Sequence, residues 1–141
     1  MTEPRSGEQQ PSQGLLDTTI FIAKESGRPI GEDLLPAEAA TTVITLADLH
    51  AGVLVAADTD TRARRLATLE SVADMHTCRV DEAAARIWAQ MRVHLDETGR
   101  RARVNDLWIA AIAAANRLPV IAQDDAFEPV RGVAGLAVIK F

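Results

Sequence analysis

Cysteine is almost missing from this chain, with Cys78 the single example in 141 residues. No intrachain disulfide can form, which fits a reducing, cytoplasmic setting. Cys78 lies in the β-like run MHTCRV and reads as a small core residue rather than a nucleophile. Long apolar runs are missing too: none reaches the roughly 18 to 20 residues of a membrane span. The opening MTEPRSGEQQPSQG lacks the apolar stretch of a signal peptide. Its Pro/Gly/Ser/Gln-rich composition predicts a disordered tail over residues 1–13. Basic charge is also in short supply. Fifteen Lys and Arg against 20 Asp and Glu leave a net charge of −5, which argues against a general nucleic-acid coat protein. A nuclease stays open, because metals neutralise acids and local basic patches hold phosphates. There is no P-loop, no Gly-rich dinucleotide turn, no Cys pair and no His-x-x-x-His for zinc. His50, His76 and His94 are scattered over different elements and read as surface or helix-face residues.

What is present is apolar patterning, with 48% hydrophobic residues, enough for one domain over residues 14–141. A short apolar strand leads to Asp17, then Thr18 and Thr19. Leu34 to Ala40 reads as a weak helical or turn region broken by Pro36. Thr41 to Thr45 is β-branched throughout and predicts a strand. Thr45 and Asp48 then form a capping-box-like T-x-x-D, so Asp48 reads equally as a helix cap and as a carboxylate at a strand end. Residues 60–73 predict an amphipathic helix, on which Arg62, Arg64 and Arg65 read as a solvated face. Met75 to Val80 predicts a strand. Asp81 then caps a long helix that ends at Gly99, with Trp88 and Met91 in its apolar stripe.

The stretch from Arg101 to Phe127 organises the rest. Arg100, Arg101 and Arg103 precede Asn105, which predicts an N-cap, and Asp106 in the first turn. The helix that follows is apolar almost all round, which argues for burial against a sheet. Asn116 and Pro119 stop it, residues 119–122 predict a strand, and Asp124 follows. Phe127 and Val130 pack a turn, and Leu136 to Phe141 predicts a closing strand. The alternation implies an α/β fold with a mainly parallel sheet covered on both faces. Ligands of such sheets bind outside the C-terminal strand ends.

Asp17, Asp48 and Asp124 fall at or just past predicted strand ends, and Asp106 opens a helix on the same rim. Like charges brought together raise one another's pKa and destabilise the empty site. A hard cation relieves this, and Mg²⁺ or Mn²⁺ takes oxygen ligands and binds phosphate oxygens. Phosphodiester hydrolysis is the chemistry that uses such a cluster.

The segments LLDTTIFIA, VITLADLHAG, RVNDLWIAAIAAANRLPVIAQDDAF and GLAVIKF resemble the PIN-domain ribonucleases, specifically the VapC-type toxins of toxin–antitoxin pairs. The resemblance spans residues 14–141. It implies a three-layer fold around a four- or five-stranded parallel sheet, one or two Mg²⁺ or Mn²⁺ ions, and cleavage of RNA, with tRNA or ribosomal RNA as usual targets. It also implies a VapB-like antitoxin, a homodimer and a higher toxin–antitoxin assembly. Carried over by motif, the acids are Asp17, Asp48, Asp106 and Asp124, with Asp125 a further carboxylate. The second acid of the family is usually Glu, one methylene longer than Asp48. The last family motif, Thr-x-Asp-x-Asp-Phe, reads here Ala122-Gln123-Asp124-Asp125-Ala126-Phe127. Arg103 matches a basic residue before the third acid and implies a phosphate contact. Arg100 and Arg101 stand close by in sequence and read with it as RNA-binding residues within reach of the same phosphate, and Thr18 is a candidate donor to a bound water or ligand. Two other readings stand beside this one. A PIN-like module that binds RNA or an antitoxin without cleaving is suggested by the departures at Asp48 and Ala122. A signalling receiver is disfavoured, because Asp81, at the end of the third strand, caps a helix instead.

Overall fold

A computed structural model describes residues 12–30 and 35–141. Of the tail expected over residues 1–13, residues 1–11 lie outside the described residues, and Gln13 already belongs to the first strand. The elements run β1 (Gln13–Leu16), α1 (Thr18–Glu25), β2 (Glu38–Thr42), α2 (Val43–Leu54), α3 (Thr59–Ser71), β3 (His76–Cys78), α4 (Glu82–Thr98), α5 (Val104–Ala115), β4 (Val120–Ala122) and β5 (Val138–Lys140). Every strand pair is parallel, in the order β3-β2-β1-β4-β5. The α/β three-layer arrangement expected from the alternation is the one observed, and β1 lies at its centre.

Side chains alternate across the sheet, as the two-residue strand period requires. Leu15, Val120 and Ala122 join the core formed with α4 and α5, while Leu16 and Ile121 join the core formed with α1, Leu49 and Val72. Ile109 through Ala113 are fully buried, so the all-round apolar character of α5 reflects a helix with no wet face in its middle turns. Gly14 is needed for close approach: a Cβ there would stand 2.5 Å from Ile121 Cδ1. Cys78 is a buried core residue, and burial pushes its thiol up, away from the reactive thiolate.

Four local expectations are corrected. The second strand ends at Thr42 and does not reach Thr45. Thr42, not Thr45, is the N-cap of α2: its hydroxyl accepts the Thr45 N–H at 3.0 Å, and that bond turns a β-branched run into a helix start. The segment read as a weak helix or turn is partly strand, since β2 begins at Glu38. Asn105 is not the cap of α5; Arg103 holds that place without a side-chain cap bond. By contrast, Asp81 caps α4 and Gly99 ends it in the left-handed conformation, as the sequence predicts.

Candidate active site

The C-terminal ends of β1 and β4 neighbour each other in the sheet, so the residues that follow them meet at one rim. Asp17 leaves β1 and caps α1. Its Oδ2 accepts from the Thr19 backbone N–H at 3.3 Å and the Thr19 hydroxyl at 2.7 Å. The same Thr19 oxygen accepts the Gln123 backbone N–H at 3.2 Å, which ties the end of β4 to the start of α1. Asp17 is 1% exposed, and its Oδ1 is buried without a hydrogen-bond partner. A buried carboxylate oxygen left unpaired is costly unless a cation or donor takes it.

Asp106 stands in the first turn of α5, half-buried. Its carboxyl is pushed up to about 6, first by loss of solvent and then by the charges of Asp17 and Asp124; Arg103 opposes the rise and Asp48 adds to it. Asp17 is raised by the same means, with burial first and Asp124 contributing. These couplings bring Asp17, Asp48, Asp106 and Asp124 into one electrostatic unit. Asp48 is not at a strand end but in the second turn of α2. Its Oδ1 accepts from Asn105 Nδ2 at 2.9 Å, and its Oδ2 faces the Thr18 hydroxyl at 3.4 Å. Thr18 therefore serves the second acid and the Thr45 hydroxyl, at 3.1 Å, within the protein. Asp124 is exposed, and its Oδ1 accepts the Ala126 N–H at 3.0 Å. Asp125 turns elsewhere and pairs with Lys140 of β5 at 2.8 Å.

A cleft of about 680 Å³ opens beside Asp17, Asp48 and Asp106, with Leu49 and Gly52 in its wall. Arg103 lines it, whereas Arg100 and Arg101 line a different cavity. Arg65, expected on a solvated face, also lines the cleft, and its Nη1 donates to the Gly52 carbonyl at 2.7 Å. Two residues with a place in the site escaped the sequence reading. Thr19 carries a legible signal, a hydroxyl two residues after a capping Asp. Asn105 was visible only as a helix cap.

The donor set suits a hard divalent cation: carboxylate oxygens, one buried and unpartnered, with Asp17 and Asp106 raised by burial first and by neighbouring acids second. Among the described residues, however, no three His, Cys, Asp or Glu side chains are already arranged to hold an ion.

The chemistry of Asp48 leads to a quantitative expectation. Asn105 reaches across 57 residues of sequence to steady an acid one methylene shorter than Glu. Asn105→Ala should weaken Mn²⁺ binding by about tenfold, the cost of one charge-assisted hydrogen bond. In an Asp48→Glu background the same change should cost much less, because the longer side chain needs no tether. Titration calorimetry on the four proteins of this double-mutant cycle checks it, and equal losses in both backgrounds would refute the tether.

Comparison with known proteins agrees with the geometry. The PIN domain family model matches residues 14–133. The chain is 61% identical over 130 residues to ribonuclease VapC5 of Mycobacterium tuberculosis, covering 92% of this chain and 96% of that one. It is 31% identical over 126 residues to ribonuclease VapC4 of the same organism, covering 89% and 97%. Its fold matches the crystal structure of the toxin–antitoxin family member VapBC-5 from Mycobacterium tuberculosis with a TM-score of 0.86 at 57% identity, over 93% of this chain and 100% of that one.

Proposed function

From the premise that this chain belongs to the PIN-domain family, as a VapC ribonuclease toxin of a toxin–antitoxin system, we propose that it is a metal-dependent endoribonuclease whose centre is Asp17, Asp48, Asp106 and Asp124. The observation that carries this is the meeting of Asp17, Asp48 and Asp106 in one cleft, with the Asp17 Oδ1 buried and unpartnered. An Mg²⁺ or Mn²⁺ ion, one or two, would be held by Asp17, Asp106 and Asp124, with Asp48 direct or through water. Bound there, it supplies an activated water and offsets charge on the phosphate. The chain's own residues supply the rest. Asp17 gives a rigid, buried oxygen fixed through Thr19. Asn105 and Thr18 hold Asp48 in place. Arg103, beside Asp106 in the cleft, takes a phosphate oxygen with its planar guanidinium. The substrate is cytoplasmic RNA, of which tRNA and ribosomal RNA are the first to test.

Silencing follows from the same charges. A VapB-like antitoxin would place an arginine among the carboxylates, where it takes the electrostatic place of the metal. Assembly as a homodimer and a larger toxin–antitoxin complex belongs to this proposal. Among the described residues no helix is long and apolar enough to cross a membrane.

The test is RNA cleavage by the antitoxin-free protein with Mn²⁺ and with chelator. Metal-dependent cutting, suppressed by the co-purified antitoxin, is expected. Metal binding with no cutting of any cellular RNA would instead favour a module that only binds. The register of the last motif is checked by paired variants. Asp124→Asn should abolish most cleavage, while Asp125→Asn should leave it within about threefold, a change of under 1 kcal/mol, because Asp125 serves Lys140. The reverse ranking would move the fourth acid to Asp125.

A further inference from the structure

The arginines ahead of α5 divide between two cavities. Arg103 lines the acid cleft, whereas Arg100 and Arg101 line a second cavity of about 620 Å³ between the end of α4 and the start of α5. Val104 lines both and is 64% exposed, so the two cavities meet over one side chain. Arg92 also lines the second cavity and pairs with Asp96 at 3.2 Å, the one acid in its wall. Arg100 and Arg101 have no ion-pair or side-chain hydrogen-bond partner among the described residues. The wall is therefore cationic in a protein whose net charge is −5.

Trp88 lies in the wall of the same cavity. Its ring lines this cavity and stacks on Trp108, with centroids 5.1 Å apart and planes at 20°. Its Nε1 is buried and lacks an acceptor. An indole N–H is a donor only, and a buried donor without a partner is unfavourable. An acceptor-rich anion entering the cavity would meet the two free guanidinium forks, while the buried indole N–H stays out of its reach.

We propose that this second cavity is a subsite for a backbone phosphate of single-stranded RNA flanking the bond that is cut. The strand leaves the acid cleft, crosses Val104 and places a phosphate against Arg100 and Arg101. The inference rests on the ribonuclease reading of the neighbouring cleft. RNA is favoured over an acidic peptide because the shared Val104 wall puts the cavity on the path of a chain whose phosphate occupies that cleft. Arginine suits the task because its planar fork takes two phosphate oxygens at once.

The experiment uses the full chain and a fluorescent single-stranded RNA oligonucleotide. Binding is read by anisotropy across a salt series with chelator present, and cleavage of total tRNA and ribosomal RNA is followed separately with Mn²⁺. The Arg100→Ala/Arg101→Ala double variant should lose about tenfold in affinity, and its salt slope should fall by about 0.7 per lost contact. Trp88→Phe keeps an aromatic ring against Trp108 and removes only a donor buried out of the ligand's reach, so it should leave affinity unchanged. In cleavage, the double variant should show a raised KM with little change in kcat. Wild-type affinity and salt slope in the double variant would overturn the subsite. So would a variant defective only in capture of an acidic antitoxin peptide. The failures are separable: cleavage that ignores Arg100 and Arg101 refutes the subsite alone, and arginine-dependent binding without cleavage refutes the ribonuclease reading alone.

Discussion

Asp106→Asn is expected to abolish RNA cleavage and to stabilise the metal-free protein, effects of opposite sign from one carboxylate. On the proposed metal-dependent reading the loss should be about three orders of magnitude in rate, or ~4 kcal/mol of transition-state stabilisation, because the change removes charge that would hold the ion. Stability should rise because Asp106 is ionised at neutral pH against burial and three neighbouring acids. Asp17→Asn should lose cleavage equally; its amide oxygen can still accept the Thr19 N–H, so α1 keeps its cap. Single-turnover cleavage with Mn²⁺ and urea unfolding with chelator check the pair of signs. An Asp106→Asn protein that cuts RNA within tenfold of wild type, a loss below ~1.4 kcal/mol, would refute the assigned centre.

Metal-free stability should fall as pH rises from about 4 to about 6. The folded carboxyl of Asp106 titrates at about 6 and its ordinary value is 3.8, so the folded state binds more protons than the unfolded one in this window. The penalty is absent below the ordinary value and complete above the folded one. Full conversion of that shift corresponds to roughly 3 kcal/mol, and solvent screening of this half-exposed group reduces it to about 1–2 kcal/mol. Asp17 shifts in the same direction and adds to it. Asp58 and Glu128 are lowered instead, Asp58 mainly by its hydrogen bonds with Thr61 and Glu128 by that with Arg131. Their contribution is present above the ordinary values and is lost in stronger acid. The difference between wild type and Asp106→Asn isolates the Asp106 component. With Mn²⁺ the trend should reverse, because carboxylate ligands must be deprotonated. Metal at about 100 times its dissociation constant should add ~2.7 kcal/mol. Melting temperatures from about pH 4 to 7, with and without metal, test both trends. A wild-type-minus-variant difference that is flat across this range would refute the coupling.

The order of elements, and the rim on which the acids gather, were legible in one dimension. Both rest on local regularities. Strand side chains alternate and helices repeat every 3.6 residues, so apolar patterns distinguish them. Parallel strands put their C-terminal ends on one side, so acids after successive strands share it. Asp17, Asp106 and Asp124 were found in this way, and the family motifs carried the same residues. The sequence by itself thus determined the fold class, the family and the rim to which these acids belong.

The tertiary structure alone decided how the acids are held and what stands around them. TTVIT looks like a strand because β-branching favours one, yet the Thr42 hydroxyl captures an N–H three residues ahead and starts a helix instead. Asn105 has the chemistry of a cap, but its better partner is Asp48, 57 residues away. Arg100 and Arg101 adjoin Arg103 in sequence, yet they line a separate cavity across Val104. Thr19 meets the backbone of Gln123 across 104 residues. At Asn105 and Thr19 a local preference of about 1 kcal/mol competes with a contact of similar size that exists only once the sheet has brought distant segments together. Periodicity records which face of an element is buried; it holds no record of which distant polar group will be waiting there.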